Sequence, residues 1–280
     1  MLPTSPGPPT EPAVVTAADG AKLAVWSAGS ADAACIVLVH GFSLDHTTWE
    51  PVAERLVATG YRVVVPDLRG HGRSTLGSAE PTAERLVQDV EDIAAGLDLP
   101  AFHLVGHSLG AVVALAARTS LGLGGRIRSV TSVAGTEQSI HNPVMRLGAR
   151  LFSSRLGISL LKRERPGRLM ISTWFGKRPN PEQLDWIRTL CAQCPADTRQ
   201  EITQATGDID LRPSFSTAGP PTLVLVGKLD KATPAKISKR IAEAIDGARL
   251  AVVDSAGHMV IIEQPDAVVG HLTSWLTDTF

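Results

Sequence analysis

Short, continuous apolar runs alternate along this chain with stretches whose apolar residues recur at helical spacing. Cys35–Val39 (CIVLV) is a continuous apolar run short enough to be a strand buried on both faces, Tyr61–Val65 reads as the next buried strand, and Ala101–Val105, Ser129–Ala134, Thr222–Val226 and Leu250–Val253 read as further strands. Two alternating segments, Ala13–Ala17 and Lys22–Trp26, flank Asp19-Gly20, a hairpin-turn dipeptide. Between the runs, helices are predicted from near Thr47 to Thr59, over Thr82–Ala95, Leu109–Ser120, Thr233–Ile245 and Asp266–Thr277. Thr47-Thr48-Trp49-Glu50 has capping-box spacing, Gly60 stops the first helix, and Thr233-Pro234 reads as an N-cap followed by proline at N1. Strands alternating with helices predict an α/β fold, a mostly parallel sheet with helices on both faces.

The alternation breaks between Glu137 and Thr217. No strand pattern stands out there, and Met145, Phe152 and Leu156, then Met170, Trp174 and Phe175, recur at helical spacing. The expectation is a helical insertion after the sixth strand, giving a tail at 1–12, a core at 13–136 and 218–280, and an inserted unit at 137–217. From Pro143 to Arg199 the insertion carries 11 Lys/Arg against 4 Asp/Glu, a surplus of seven that leaves the rest of the chain at −8.

The whole chain is nearly neutral (−1), without the basic footprint of a nucleic-acid binder. No run is long and apolar enough for a transmembrane helix, and the proline-rich start lacks the pattern of a secretory signal, so a cytoplasmic enzyme is expected. Cys35, Cys191 and Cys194 are too few for a disulfide framework, and a lone CxxC lacks a second pair of ligands; no metal is expected.

Candidate chemistry centres on Gly106-His107-Ser108-Leu109-Gly110, a G-x-S-x-G placed where a buried strand meets an apolar helix. That junction lifts Ser108 out of the sheet at a helix N-terminus, where developing negative charge is favoured. A serine hydroxyl needs a base, and the base needs an orienting acid. Asp230 follows the strand Thr222–Val226 and His258 follows Leu250–Val253, both on loops at C-terminal strand ends, the edge where Ser108 sits. The order Ser, Asp, His suits this kind of sheet. Asp208, Asp210 and Asp254 are weaker candidates for the acid.

His40-Gly41-Phe42, the loop Pro66–Ser74 (PDLRGHGRS), GHSLG, GKLD and AGH together resemble the α/β-hydrolase superfamily over nearly the whole chain. The segment RIAEAIDGARLAVVDSAGHMVIIEQPD is similar to the branch holding bacterial esterases, cofactor-free haloperoxidases and meta-cleavage-product hydrolases. The resemblance implies an α/β-hydrolase fold with a helical cap, a Ser108–Asp230–His258 triad and an oxyanion hole formed by the backbone N–H groups of Phe42 and Leu109. It implies no cofactor, and a structural role for Asp67. Serine at 108 argues against the branches that use an aspartate nucleophile on epoxides or carbon–halogen bonds. The implied cap would shape an apolar substrate pocket, for which Met145, Phe152, Trp174, Phe175 and Met259 are the candidates. The expected substrate is a small carboxylic ester of an apolar acyl group; a thioester, a carbon–carbon bond, perhydrolysis and non-catalytic ligand binding stay open. The basic insertion could also meet an anionic surface.

Overall fold

The computed structural model describes residues 11–139, 143–177 and 179–279, so most of the expected tail, and His141, lie outside the described residues. Eight strands, β1 (Ala13–Thr16), β2 (Lys22–Ala28), β3 (Cys35–Val39), β4 (Arg62–Pro66), β5 (Phe102–His107), β6 (Ile127–Val133), β7 (Thr222–Gly227) and β8 (Arg249–Val253), form one sheet. Its order is β1-β2-β4-β3-β5-β6-β7-β8. β1 pairs antiparallel with β2 and β2 with β4; every other pairing is parallel.

The side-chain period of two explains why the central strands read as unbroken apolar runs. Ile36 and Leu38 of β3 pack with Val63 and Val65 on one face, against α1 (Glu50–Ala58) and α11 (Pro265–Thr279). Val37 and Val39, from the same strand, pack on the other face with Val64 and Leu104, against α2 (Ala83–Gly96) and α3 (Leu109–Ala117). With both faces covered, each position is selected for burial. β8 lies at the sheet edge, and its burial alternates instead.

Two predicted caps are replaced. Asp45, not Thr47, accepts the Thr47 N–H at 3.0 Å and starts a 3₁₀ turn, His46–Trp49, ahead of α1. At α9 (Ala235–Ala244), Pro234 takes the cap position and the Thr233 hydroxyl is drawn elsewhere. An Asx side chain and a nearby carboxylate compete successfully for donors that the spacing alone assigned to helix ends.

Between β6 and β7 the chain forms α4 (Pro143–Ser153), α5 (Arg155–Leu161), α6 (Glu164–Ser172), α7 (Pro181–Gln193) and α8 (Ala196–Ala205). It leaves and rejoins the sheet through a narrow two-stranded neck, where Gln138 bridges Asp210 and Leu211 N–H donates to the Glu137 carbonyl. Within the helices, fully buried Arg199 donates to the carbonyls of Cys191 and Phe152, near the C-terminal ends of α7 and α4, and lies 4.1 Å from the centre of the Phe152 ring. Helix C-terminal carbonyls carry partial negative charge, which compensates a guanidinium that has no carboxylate partner among the described residues. Burial pushes the Cys191 thiol up to about 12 and the Cys194 thiol up to about 11, which keeps both protonated and unreactive.

The far end of the sheet is tied by ions. Arg69, fully buried after β4, reaches Asp19 of the β1–β2 turn at 2.8 Å and clasps Asp89 of α2 through two nitrogens at 2.5 and 2.6 Å. Removing one partner of a buried pair leaves an uncompensated charge. Asp89→Ala is expected to cost about 3 kcal/mol, read as a lower urea midpoint at unchanged slope; a loss within experimental error would show that Asp19 alone suffices.

Candidate active site

β5 turns into α3 in a single residue. Ser108 adopts φ 54° and ψ −112°, a conformation that costs energy for any residue with a side chain. The turn closes only because its neighbours are bare. A Cβ on Gly106 would lie 1.9 Å from the Gly110 carbonyl oxygen, and one on Gly110 would lie 2.2 Å from that of Val39. The Ser108 N–H is anchored to the Val133 carbonyl on the neighbouring strand at 2.9 Å. The hydroxyl therefore projects beyond the C-terminal edge of the sheet.

Two other strand ends deliver its partners. His258 Nε2 lies 3.0 Å from Ser108 Oγ, and His258 Nδ1 lies 2.9 Å from Asp230 Oδ2. Asp230 and His258 are both buried. The other carboxylate oxygen of Asp230 accepts the N–H groups of Ala232 and Thr233, each at 2.8 Å. The Thr233 hydroxyl sits 2.8 Å from Asp230 Oδ2 and 2.9 Å from the Ala134 carbonyl, its one proton serving either. Burial by itself would raise Asp230, but the neighbouring His258 and the donors of Thr233 overcome it and hold the carboxyl below its ordinary range. Such a group stays ionised and orients the imidazole so that Nδ1–H faces the carboxylate and bare Nε2 faces the serine. The weaker candidates Asp210 and Asp254 pair with Arg212 and Lys228 instead.

The loop from β3 that faces Ser108 is held by two histidines with no place in that relay. His40 Nδ1–H donates to the Gly41 carbonyl at 2.8 Å, while its Nε2 accepts the Leu68 N–H at 2.9 Å. His71 donates through Nδ1 to the Arg69 carbonyl at 3.0 Å, and its Nε2 accepts the Ser43 N–H at 3.0 Å. Each ring uses one nitrogen as donor and the other as acceptor, which only neutral imidazole can do. Between these supports, the N–H groups of Phe42 and Leu109 have no acceptor among the described residues. Asp67 lies behind the same loops, accepting from His46 N–H at 2.8 Å, the His46 ring at 2.9 Å and Arg73 N–H at 2.7 Å.

A cavity of about 840 Å³ opens on Ser108. Phe42, Leu109, Val112 and Ala134 make its wall beside the serine; Gln138, Arg150, Gln200, Thr203 and Asp208 make it polar further out. The residues that line it differ from those expected. Phe175 and Met259 are buried in the core, and the side chain of Met145 lies outside the described residues. Phe152 and Trp174 are not on the cavity wall; their half-buried rings form a chain, Phe42–Phe152–Trp174–His258, with centroids 5.4 to 6.4 Å apart. Helical spacing marks a buried face, and here most of that face meets protein.

The loop bearing His258 is fastened to the inserted helices. The Trp174 carbonyl accepts the His258 N–H at 2.8 Å. Glu263, five residues beyond the histidine on α10 (Val260–Glu263), accepts Gly257 N–H at 2.7 Å through one oxygen and Gly176 N–H at 2.8 Å through the other. The two backbones touch so closely that a Cβ on Gly176 would come within 2.5 Å of the Gly257 nitrogen. Nothing in the sequence marked Glu263 or the two histidines of the β3 loop as a set; their only signal is their position inside short motifs.

A profile of the alpha/beta hydrolase family matches residues 36–271. The chain is 28% identical over 258 residues to 3-oxoadipate enol-lactonase 1 of Acinetobacter baylyi, covering 91% of this chain and 93% of that protein. It is 25% identical over 235 residues to the AB hydrolase superfamily protein YisY of Bacillus subtilis, covering 83% and 88%. Among solved structures it superposes on the enol-lactonase of Burkholderia xenovorans with a TM-score of 0.84 at 25% identity, over 95% of this chain and all of that one. An esterase of Thermogutta terrifontis gives 0.82 at 27% identity, over 96% and 99%.

Two outcomes follow from this geometry. Burial, more than any neighbour, depresses both His71 and His107 from 6.5 to about 3. The unfolded chain takes up their protons below pH 6.5 while the folded chain does not, so stability is full above that value. It falls towards pH 3 by about 1.4 kcal/mol per pH unit per histidine. Melting temperature measured from pH 7 to 5 is expected to drop accordingly; a flat curve would contradict neutral rings. Glu263→Ala leaves backbone amides unpaired, at about 1–3 kcal/mol of stability, and is expected to lower kcat more than it raises KM. An unchanged kcat would mean that the clasp does not position His258.

Proposed function

The chain belongs to the alpha/beta hydrolase family and is a hydrolase, and from that premise we propose that it cleaves carboxylic esters through an acyl-serine intermediate. The observation that carries this reading is the unbroken hydrogen-bonded line from Ser108 Oγ through His258 to Asp230.

In the proposed reaction, His258 Nε2 takes the hydroxyl proton as Ser108 Oγ attacks the ester carbonyl carbon. The carbonyl π electrons move to oxygen, and the N–H groups of Phe42 and Leu109 receive the resulting oxyanion. Two preorganised donors suit that charge, each worth about 2.7–4 kcal/mol in the transition state. Collapse of the intermediate breaks the bond to the alcohol, which leaves with the proton from His258. Water then repeats the sequence on the acyl-serine, with His258 again accepting and returning a proton. Asp230 stays ionised throughout, stabilising the imidazolium and fixing its orientation.

The five helices between β6 and β7, within residues 137–217, serve as a cap whose polar wall surrounds the part of the substrate farthest from the serine. A cyclic ester is the second reading, favoured by enol-lactonases appearing both among the sequence relatives and among the superposed structures. The two readings share the nucleophile and differ in whether the leaving alcohol remains tethered.

Ser108→Ala and His258→Ala are each expected to reduce turnover of p-nitrophenyl esters by about 10⁶, and Asp230→Asn by about 10⁴. Fluorophosphonate labelling should be lost in the Ser108 variant alone of all single serine replacements. A panel of linear esters, enol-lactones, thioesters and ring-fission ketones, with peroxide as an alternative acceptor, ranks the substrates. Full turnover by Ser108→Ala would overturn the mechanism.

A further inference from the structure

Apart from Arg150, which also lines the cavity, the first three inserted helices have a cationic surface that neither the fold nor the proposed reaction uses. From Pro143 to Ser172 the chain carries seven Lys/Arg and a single acid, Glu164, a surplus of six that leaves the remaining residues at −7. Glu164 is already paired with Arg168, which also binds Asp185. Arg150, Arg155, Lys162, Arg163 and Arg165 are exposed, and their side chains have no ion-pair or hydrogen-bond partner among the described residues.

Large aliphatic side chains stand among these cations. Leu147 and Leu151, one helical turn apart on α4, are 68% and 45% exposed; Leu156 at the start of α5 is 59% and Leu169 on α6 is 71% exposed. The start of α5 closes tightly on the end of α4: a Cβ on Gly157, next to Leu156, would lie 2.2 Å from the Leu151 carbonyl oxygen. α4 packs on α5, and α5 on α6, so the exposed leucines and cations are carried by one contiguous three-helix plate. Scattered single exposed leucines are ordinary, but four of them on three contiguous helices that also carry five unpaired cations are not. The plate also borders the cavity, since Ala149, Arg150 and Ser153 of α4 line it.

We infer that this plate docks on an anionic lipid surface, with its leucines in the headgroup–acyl boundary and its cations among the phosphates. Apolar side chains interspersed with Lys/Arg are what such a boundary selects, because leucine stems gain burial while long cationic side chains stay with the headgroups. Charge asymmetry supplies the orientation: the net-negative remainder of the molecule is repelled from the surface that attracts the plate. Docked in this way, the α4 wall of the cavity would lie next to the lipid, where esters with an apolar chain are concentrated.

The test is co-sedimentation of the full chain with vesicles of phosphatidylcholine alone and of phosphatidylcholine mixed with phosphatidylglycerol. Binding to the mixed vesicles and not to the neutral ones, lost as salt is raised, is the expected result. Each cation held at such a surface is worth about fivefold in affinity, so combining Arg155→Gln, Arg163→Gln and Arg165→Gln should weaken binding about 100-fold. Leu147→Ser with Leu151→Ser should also weaken it. All five positions are exposed, so melting temperature and hydrolysis of a short water-soluble ester should stay as in the parent. Ser108→Ala should bind vesicles like the parent, which separates this inference from the proposed chemistry. Absence of binding, or equal binding to both vesicle types, would overturn it. So would a concentration-dependent dimer, seen by sedimentation velocity, that is abolished by the leucine changes and binds no vesicles.

Discussion

The backbone contact between Gly106 and Gly110 governs the site more than any side chain in it. A strand running straight into a helix must bring two peptide planes together, and a Cβ at Gly106 would lie 1.9 Å from the Gly110 carbonyl oxygen, which leaves no room for a side chain. That contact forces Ser108 into a positive φ, and the positive φ is what turns its hydroxyl away from the sheet. Strain of this kind persists only when the surroundings over-determine it. Here the parallel pairing of β5 with β3 and β6 does so from both sides.

The sheet is the reason three residues so far apart in sequence can meet. β5, β7 and β8 run parallel, so their C-terminal ends share an edge, and the loops that follow them need only be short to converge. Asp230 and His258 each sit within five residues of a strand end. Little chain is left free to wander, which lowers the entropy cost of holding the three hydrogen-bonded side chains together. The histidine pair beneath the β3 loop does the same for the fourth strand end.

Much of this was readable from residue order. Strand-length apolar stretches mark β3 to β8, and the two alternating segments mark the antiparallel β1 and β2. Ser108, Asp230 and His258 were legible because each follows such a run and because a hydroxyl, a carboxylate and an imidazole have complementary chemistry. The cavity wall was not. Helical spacing separates one face of a helix from the other without saying what each face meets. Phe175 and Met259 went to the core, whereas Leu147, Leu151 and Leu156 went to solvent. Thr233 was misread for a related reason: its hydroxyl could cap a helix or serve a carboxylate, and only three-dimensional proximity to Asp230 decides.

The clasp between Glu263 and the glycines at 176 and 257 bears on how such a protein can diversify. An insertion joined to its host only at its two ends could be exchanged between relatives as a cassette. This one is also stitched, midway along its length, to the strand-end loop that carries the imidazole. Transplanting it would require carrying residues 174–176 together with 257–263, so variation in the inserted helices is channelled towards their outer surfaces and away from that seam.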